Sequence, residues 1–320
     1  MNDKNREEKQ SALPFDPEKK MLDYPLPVDH TRMLQYLDCF RERYPFVQVQ
    51  SMGSSILGRS LPAISLGEGE KTTVLIGTHQ GVDWLSCVLL LRFINEYAEG
   101  YRTGQHIYNT YLPYLFHRRR ILVIPMLNPD GVDYCLNGIK KDNPLYSRLV
   151  SMTASVPPSR WCGNARGIDL THNYDIRFSE YRAAIKSGLN GKASSAFPSE
   201  TPESEPEIAY LCNYLRFYKD TIGAVISLTP QGEQISYYEQ ASNPRAASLG
   251  KILSRLCNYP LHAIAAEEEN ATLLPWCAEH LGIPAYAMAC GYGGAPVSLE
   301  YYFCIYAAIR QMLFEMPQLI

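Results

Sequence analysis

Short apolar runs alternate with amphipathic segments along most of this chain, and this alternation limits the folds open to it. Strand-like runs bounded by glycine or proline occur at residues 46–50, 61–66, 72–76, 121–125, 222–228, 261–266 and 285–289. Helical periodicity occupies residues 30–44, 84–97, 205–218, 246–258 and the C-terminal stretch. Such alternation predicts one α/β domain with a largely parallel or mixed sheet. Ligands of such sheets bind beyond the carboxyl ends of strands, so we expect a site near Thr78, Asn128, Thr229 and Cys290.

The ends and the middle of the chain differ from this pattern. Residues 1–25 are polar and mixed in charge, and we predict a flexible N-terminal arm there, followed by one domain over residues 26–320. Residues 137–204 are loop-rich, and long irregular segments of compact domains usually form functional rims or covers. The turn-forming residues at 128–131 (NPDG) predict a tight turn.

Charge and cysteine content exclude several classes of protein. The formal net charge of −3 gives no drive toward nucleic acid or acidic membranes. The basic cluster at 117–120 is interpreted as a solvated entry into a strand. No apolar stretch reaches the length of a membrane span, and no signal peptide is visible at the N-terminus. Nine scattered cysteines without Cys-x-x-Cys pairing are typical of free thiols, so a cytoplasmic protein is expected.

The corner between the run at 72–76 and the helix predicted from Trp84 resembles a zinc site that lacks its ligands. A zinc peptidase needs His-x-x-Glu at such a corner, so that two side chains converge on one metal ion. The sequence instead offers Gln80 and Asp83 at that spacing, or His79 and Asp83 one residue further apart.

Motifs along the rest of the chain, taken in order, resemble those of the zinc carboxypeptidase family. The similar segments are residues 53–59 (GSSILGR), 125–131 (PMLNPDG), 164–173 (NARGIDLTHN), 204–207 (SEPE), 227–232 (SLTPQG) and the strand at 283–291. The subgroup they resemble most consists of bacterial enzymes that cleave γ-D-glutamyl–diamino acid bonds in cell-wall peptides. The resemblance implies a single α/β domain with a mixed, twisted sheet of about eight strands flanked by helices.

The resemblance also implies a mechanism. Family members bind zinc through the His and Glu of His-x-x-Glu and a second His, leaving one position open for water. A downstream Glu accepts the proton as this water attacks the amide, and an arginine stabilises the oxyanion. An Asn-Arg pair holds the terminal carboxylate of the substrate, and a tyrosine on a loop closes over it.

At the corresponding positions of this sequence, most of the family's zinc-binding and catalytic residues are replaced. The zinc-ligand positions fall at Gln80, Asp83 and Thr229, and the general-base position falls at Ala289. A carboxamide and a hydroxyl are poor zinc ligands beside imidazole, and alanine cannot accept a proton.

The substrate-binding positions are also altered. The Asn-Arg pair becomes Thr171 and His172, and residues 271–275 contain no tyrosine, whereas Arg166 keeps the oxyanion position. A structural interpretation of Arg166 is an ion pair with Asp169 or Asp175.

We therefore predict a catalytically degenerate domain with no cofactor. It would bind a peptide, a peptidoglycan fragment or a partner protein in the former cleft, through Arg166, His172 and Thr171.

Three alternatives stay open. An active metallopeptidase could use a remodelled zinc site formed by His79, Asp83 and His172. A cysteine hydrolase could use Cys290, although a cysteine nucleophile needs a positioned base. A purely structural subunit is favoured if residues 137–204 fill the cleft.

Overall fold

A computed structural model describes residues 25–152, 157–187, 197–230, 232–239, 244–265, 269–292 and 294–320. The arm predicted over residues 1–25 lies outside these ranges, apart from Pro25. The strands of the described ranges are β1 Gln48–Ser54, β2 Ser60–Leu66, β3 Lys71–Ile76, β4 His106–Ile107, β5 Thr110–Tyr111, β6 Arg119–Ile124, β7 Ile222–Pro230, β8 Gln234–Tyr238, β9 Leu261–Ile264 and β10 Ala285–Cys290. The helices are α1 His30–Arg43, α2 Trp84–Arg102, α3 Leu112–Arg118, α4 Pro129–Asn137, α5 Tyr146–Met152, α6 Phe178–Lys186, α7 Pro206–Phe217, α8 Pro244–Cys257, α9 Leu273–Trp276 and α10 Tyr302–Glu315.

Eight of these strands form one mixed sheet in the order β1-β2-β6-β3-β7-β10-β8-β9, and β4 and β5 form a separate hairpin. The central strands β6, β3, β7 and β10 are parallel to one another. On one side β2 and β1 are antiparallel additions, and on the other β8 is antiparallel to β10 and parallel to β9. This confirms the predicted single α/β domain with a mixed sheet of about eight strands.

The sheet separates two apolar cores because side chains of a strand alternate between its faces. On β3, Leu75 packs into the core that contains α1, α2, α8 and α10. Val74 and Ile76 pack into the opposite core, which contains α7 and α9. All three residues are buried, as expected for a central parallel strand covered on both faces.

The local predictions differ from the structure in several places. Residues 128–131 begin α4 rather than form an isolated turn: Asn128 Oδ1 accepts from Gly131 N (2.9 Å) as the N-cap, and Pro129 opens the helix. Residues 234–238, for which the sequence suggested no element, form β8. None of the helices in the described ranges has both the length and the apolar composition that a membrane crossing requires.

Candidate functional site

The corner that follows β3 is fixed by close backbone packing. Thr78 adopts a left-handed conformation (φ 61°), and residues 81–83 form one 3-10 turn before α2 begins at Trp84. A Cβ atom on Gly81 would lie 2.4 Å from the carbonyl oxygen of Gly131, so only glycine fits there without a shift. The corner therefore holds the side chains at positions 79, 80 and 83 in set directions.

Asp83 lies under this corner rather than in an open site. Its residue is 3% exposed, and its main-chain carbonyl accepts from Ser86 Oγ (2.7 Å) and Thr78 Oγ1 (3.1 Å). Burial raises the pKa of the Asp83 carboxyl well above its usual value, although hydrogen bonds from Ser86 and Thr78 oppose this. The protonated form of Asp83 thus persists to higher pH than that of a free aspartate, and a protonated carboxyl is a weaker metal ligand than a carboxylate. Gln80 beside it is half-buried.

His79 connects two walls of the site. Its Nε2 lies 2.8 Å from the Tyr174 hydroxyl, and its Nδ1 lies 3.2 Å from the Ser227 hydroxyl on β7. The ring is buried, and burial lowers the pKa of His79 to about 4, although the charge of Asp169 opposes this shift. The imidazole is therefore neutral near pH 7, and both of its nitrogens are used in hydrogen bonds.

Thr171 and His172 form a polar group with Asp169. His172 Nδ1 lies 3.0 Å from Asp169 Oδ2, and Thr171 Oγ1 donates to Asp169 Oδ1 over 2.6 Å. The His172 ring also stacks on Tyr181, with centroids 4.9 Å apart and planes at 7°. Burial alone would lower the pKa of His172, but the hydrogen bond and the charge of Asp169 outweigh it and raise the pKa above its ordinary value.

These groups meet around an open cavity lined by the C-terminal half of β7, by β10 and by the loop that follows β3. Its volume is about 280 Å³, and its walls come from β7, β10, α9 and the loops at 79 and 171–174. Its lining residues are His79, Thr171, His172, Tyr174, Ser227, Thr229, Glu269, Thr272, Leu273, Leu274 and Ala287. The sequence-predicted residues Thr171, His172, Thr229 and His79 are thus brought together, whereas Gln80, Asp83, Arg166 and Ala289 are not part of this lining.

Three further positions, Thr229, Ala289 and Arg166, correspond to family residues that bind zinc, accept the proton and stabilise the oxyanion. Thr229 Oγ1 donates to the main-chain carbonyl of Met288 (3.4 Å). Ala289, its partner in the β7–β10 register, presents only a methyl group. Arg166 lies 3.5 Å from Glu205, whose carboxylate is 3% exposed, while the arginine side chain is 44% exposed. The ion-pair interpretation of Arg166 thus holds with Glu205 as partner, in place of Asp169 or Asp175.

Cys290 is packed as a buried thiol. Its Sγ donates to the main-chain carbonyl of Met288 (3.5 Å), and burial raises its pKa well above the usual value. A thiolate nucleophile requires the opposite shift, so this environment disfavours the cysteine-hydrolase alternative.

Sequence reasoning missed four polar lining residues: Tyr174, Ser227, Glu269 and Thr272. Ser227 belongs to a segment that was singled out, and its place two residues before Thr229 on a strand puts both side chains on one face. Nothing in the local sequence distinguishes Glu269 from the two glutamates that precede it.

Solved structures share this architecture. The fold resembles bovine thrombin-activatable fibrinolysis inhibitor, solved in complex with tick carboxypeptidase inhibitor (TM-score 0.68, 16% identity, 92% of this chain and 99% of that chain). It also resembles murein-tripeptide amidase MpaA from Escherichia coli O157 (TM-score 0.50, 22% identity, 85% and 90%). The chain therefore has a carboxypeptidase-like α/β fold.

The sequence matches the family model for zinc carboxypeptidases (Peptidase_M14) over residues 33–280. The chain belongs to the zinc carboxypeptidase family. A curated relative is γ-D-glutamyl-L-diamino acid endopeptidase 1 from Lysinibacillus sphaericus, 22% identical over 280 residues, which span 87% of this chain and 69% of the relative.

The family implies a zinc ion, and the residues at the ligand positions do not fit one. The donor set is a carboxamide (Gln80), a buried carboxyl with a raised pKa (Asp83) and a hydroxyl (Thr229). No group of three or more His, Cys, Asp or Glu side chains within the described ranges is placed to share a metal ion. His79, Asp83 and His172 are accordingly not gathered around one point in this arrangement.

Proposed function

We propose that this member of the zinc carboxypeptidase family lacks the family's zinc chemistry and binds a peptide or peptidoglycan fragment in the former active-site cavity. The observation that supports this most directly is the open cavity of about 280 Å³, whose wall has Thr229 at the second zinc-histidine position. Space for a ligand is retained, whereas the groups that would activate water are replaced.

The chemistry of the relatives suggests the ligand class. The curated relative is named for a γ-D-glutamyl–diamino acid bond, and one solved neighbour is named a murein-tripeptide amidase. On the basis of these names, we propose a short cell-wall peptide as the ligand. Thr171 and His172 would contact this peptide. Arg166, held by Glu205 outside the cavity, would contact ligand groups that extend beyond it. The nine scattered cysteines support a cytoplasmic location for this binding.

Zinc content and hydrolysis test the proposal together. Protein purified without a histidine tag is dialysed against a mild chelator, and its zinc is measured by elemental mass spectrometry. A γ-D-glutamyl-diamino acid tripeptide is then incubated with this protein, with and without added zinc. We expect far less than one zinc per chain and no cleavage. Zinc near one per chain, or zinc-dependent cleavage, would refute the proposal.

A second candidate is an active metallopeptidase with a remodelled site, favoured by the placement of His79 and His172 in one cavity. This candidate requires zinc that is lost in His79→Ala and His172→Ala. It also requires an Asp83 carboxylate freed from its buried position. Zinc that survives both histidine substitutions would count against it.

A further inference from the structure

The side chains around the cavity carry negative rather than positive charge, so they do not favour a carboxylate group of a ligand. None of the described lining residues is a lysine or arginine. His79 uses both ring nitrogens in hydrogen bonds, to Tyr174 (2.8 Å) and Ser227 (3.2 Å), so neither nitrogen is free to bind a ligand carboxylate. Beside His79, the described lining side chains that can carry a charge near neutral pH are His172 and Glu269.

His172 cannot make the cavity positive in either protonation state. If it is protonated, its charge is offset by Asp169, whose Oδ2 lies 3.0 Å from Nδ1. If it is neutral, the group contains two carboxyl side chains, Asp169 and Glu269, and no cation. The group formed by His172, Asp169 and Glu269 thus contains at most one cation and two carboxylates, and its net charge is negative.

Glu269 has no neutralising arginine among the described residues that surround it. Its carboxylate accepts from the Thr272 hydroxyl (2.7 Å). Arg177 approaches only the main-chain carbonyl of Glu269 (3.1 Å), because its guanidinium is already paired with Glu279 (2.6 Å). Glu269 is half-buried at the cavity wall, where a charge is screened less than on an open surface.

We propose that the cavity recognises its ligand through a cationic, amine-bearing group that pairs with Glu269. This inference rests on the proposed binding function and names the ligand chemistry of that site. Leu273, Leu274 and Ala287 in the same lining provide apolar contact for the methylene groups that carry such an amine. The amine could be a side-chain ammonium or a free α-amino group, because both present the same charge and donors.

Isothermal titration calorimetry with blocked dipeptides tests the charge preference. The probes are N-acetyl-glycyl-lysine amide, N-acetyl-glycyl-glutamate amide and glycyl-norleucine amide, which bear a side-chain ammonium, a carboxylate and a free α-amine. All titrations contain a chelator, so that no outcome depends on zinc. We expect binding of one or both amines and none of the glutamate peptide. Equal or tighter binding of the glutamate peptide, or no binding of any probe, would overturn the inference.

Variants show whether Glu269 carries the preference. Glu269→Gln should weaken amine binding at least about tenfold, the loss of one charge-assisted hydrogen bond. Glu269→Asp keeps the charge and should retain part of the affinity. Glu300→Gln, an exposed position outside the cavity lining, should bind like the wild type. Unchanged binding by Glu269→Gln would reject the assignment. Zinc-dependent cleavage would instead refute the proposed function and leave the charge preference intact, so the two failures are distinguishable.

Discussion

Glu207, in the first turn of α7, gives the stability of this protein a defined dependence on pH. The residue is fully buried, and its carboxyl oxygens accept long hydrogen bonds from Ile56 N (3.3 Å) and Asn164 Nδ2 (3.4 Å). Burial, with smaller effects of Asp130 and Glu205, raises the pKa of Glu207 from its ordinary 4.5 to about 7. The folded protein therefore holds this proton more tightly than the unfolded chain does.

The sign and size of the effect follow from this difference. For a carboxyl whose pKa is raised on folding, stability is highest below pH 4.5, falls as pH rises through the window from 4.5 to about 7, and is level above it. The full change corresponds to about 3 kcal/mol in the free energy of unfolding. Glu207→Gln has nearly the same shape and no titrating proton, so it should lack this loss.

Urea unfolding at a series of pH values measures the effect. The informative quantity is the difference in free energy of unfolding between Glu207→Gln and wild type, since other titrating groups contribute equally to both. We expect this difference to shift in favour of the variant by about 3 kcal/mol between pH 4.5 and pH 8. Glu300→Gln, an exposed carboxyl, should show no such shift. A difference that stays constant with pH for Glu207→Gln would refute the reasoning.

Two further substitutions test the packing beside the site. Arg59→Gln removes the ion-pair partner of fully buried Asp130 (3.2 Å) and should lower the free energy of unfolding by about 3 kcal/mol. The control Arg41→Gln removes one partner of an exposed ion pair and should change the free energy of unfolding little. Equal effects of the two substitutions in thermal melts would contradict this reasoning. Gly81→Ala places a methyl group 2.4 Å from a backbone oxygen and should cost about 2–3 kcal/mol. Gly282→Ala, with open space around its Cβ and a left-handed backbone (φ 69°, ψ 22°), should lose only about 1 kcal/mol of left-handed strain, and urea midpoints that rank the two glycines the other way would disprove the packing argument.

Periodicity was enough to predict the central sheet, because its strands are apolar and bounded by glycine or proline. β8 was missed because five residues give a weak period-2 signal. The start of α4 was read as a turn because asparagine, proline and aspartate favour both turns and helix N-termini. In both cases the local sequence is compatible with two structures, and packing against neighbours decides between them.

The residues of the site could be predicted only where they lie in a segment that resembles a family motif. Thr171, His172 and Thr229 were found because the segments that contain them resemble family motifs. The Glu205 partner of Arg166 and the role of Tyr174 depend on contacts between segments far apart in the chain. Glu269 was missed for the same reason, since its place in the cavity wall is set by the fold around it and not by its sequence neighbours.

The bridge that His79 makes between Tyr174 and Ser227 has a consequence for how tightly a ligand can bind. Ordering a side chain on association costs about 0.5–1.5 kcal/mol in conformational entropy. Three side chains of this cavity are already held by hydrogen bonds of 2.8 and 3.2 Å before any ligand arrives. That part of the wall is preorganised, so a ligand that fits it loses little affinity to rearrangement of the protein.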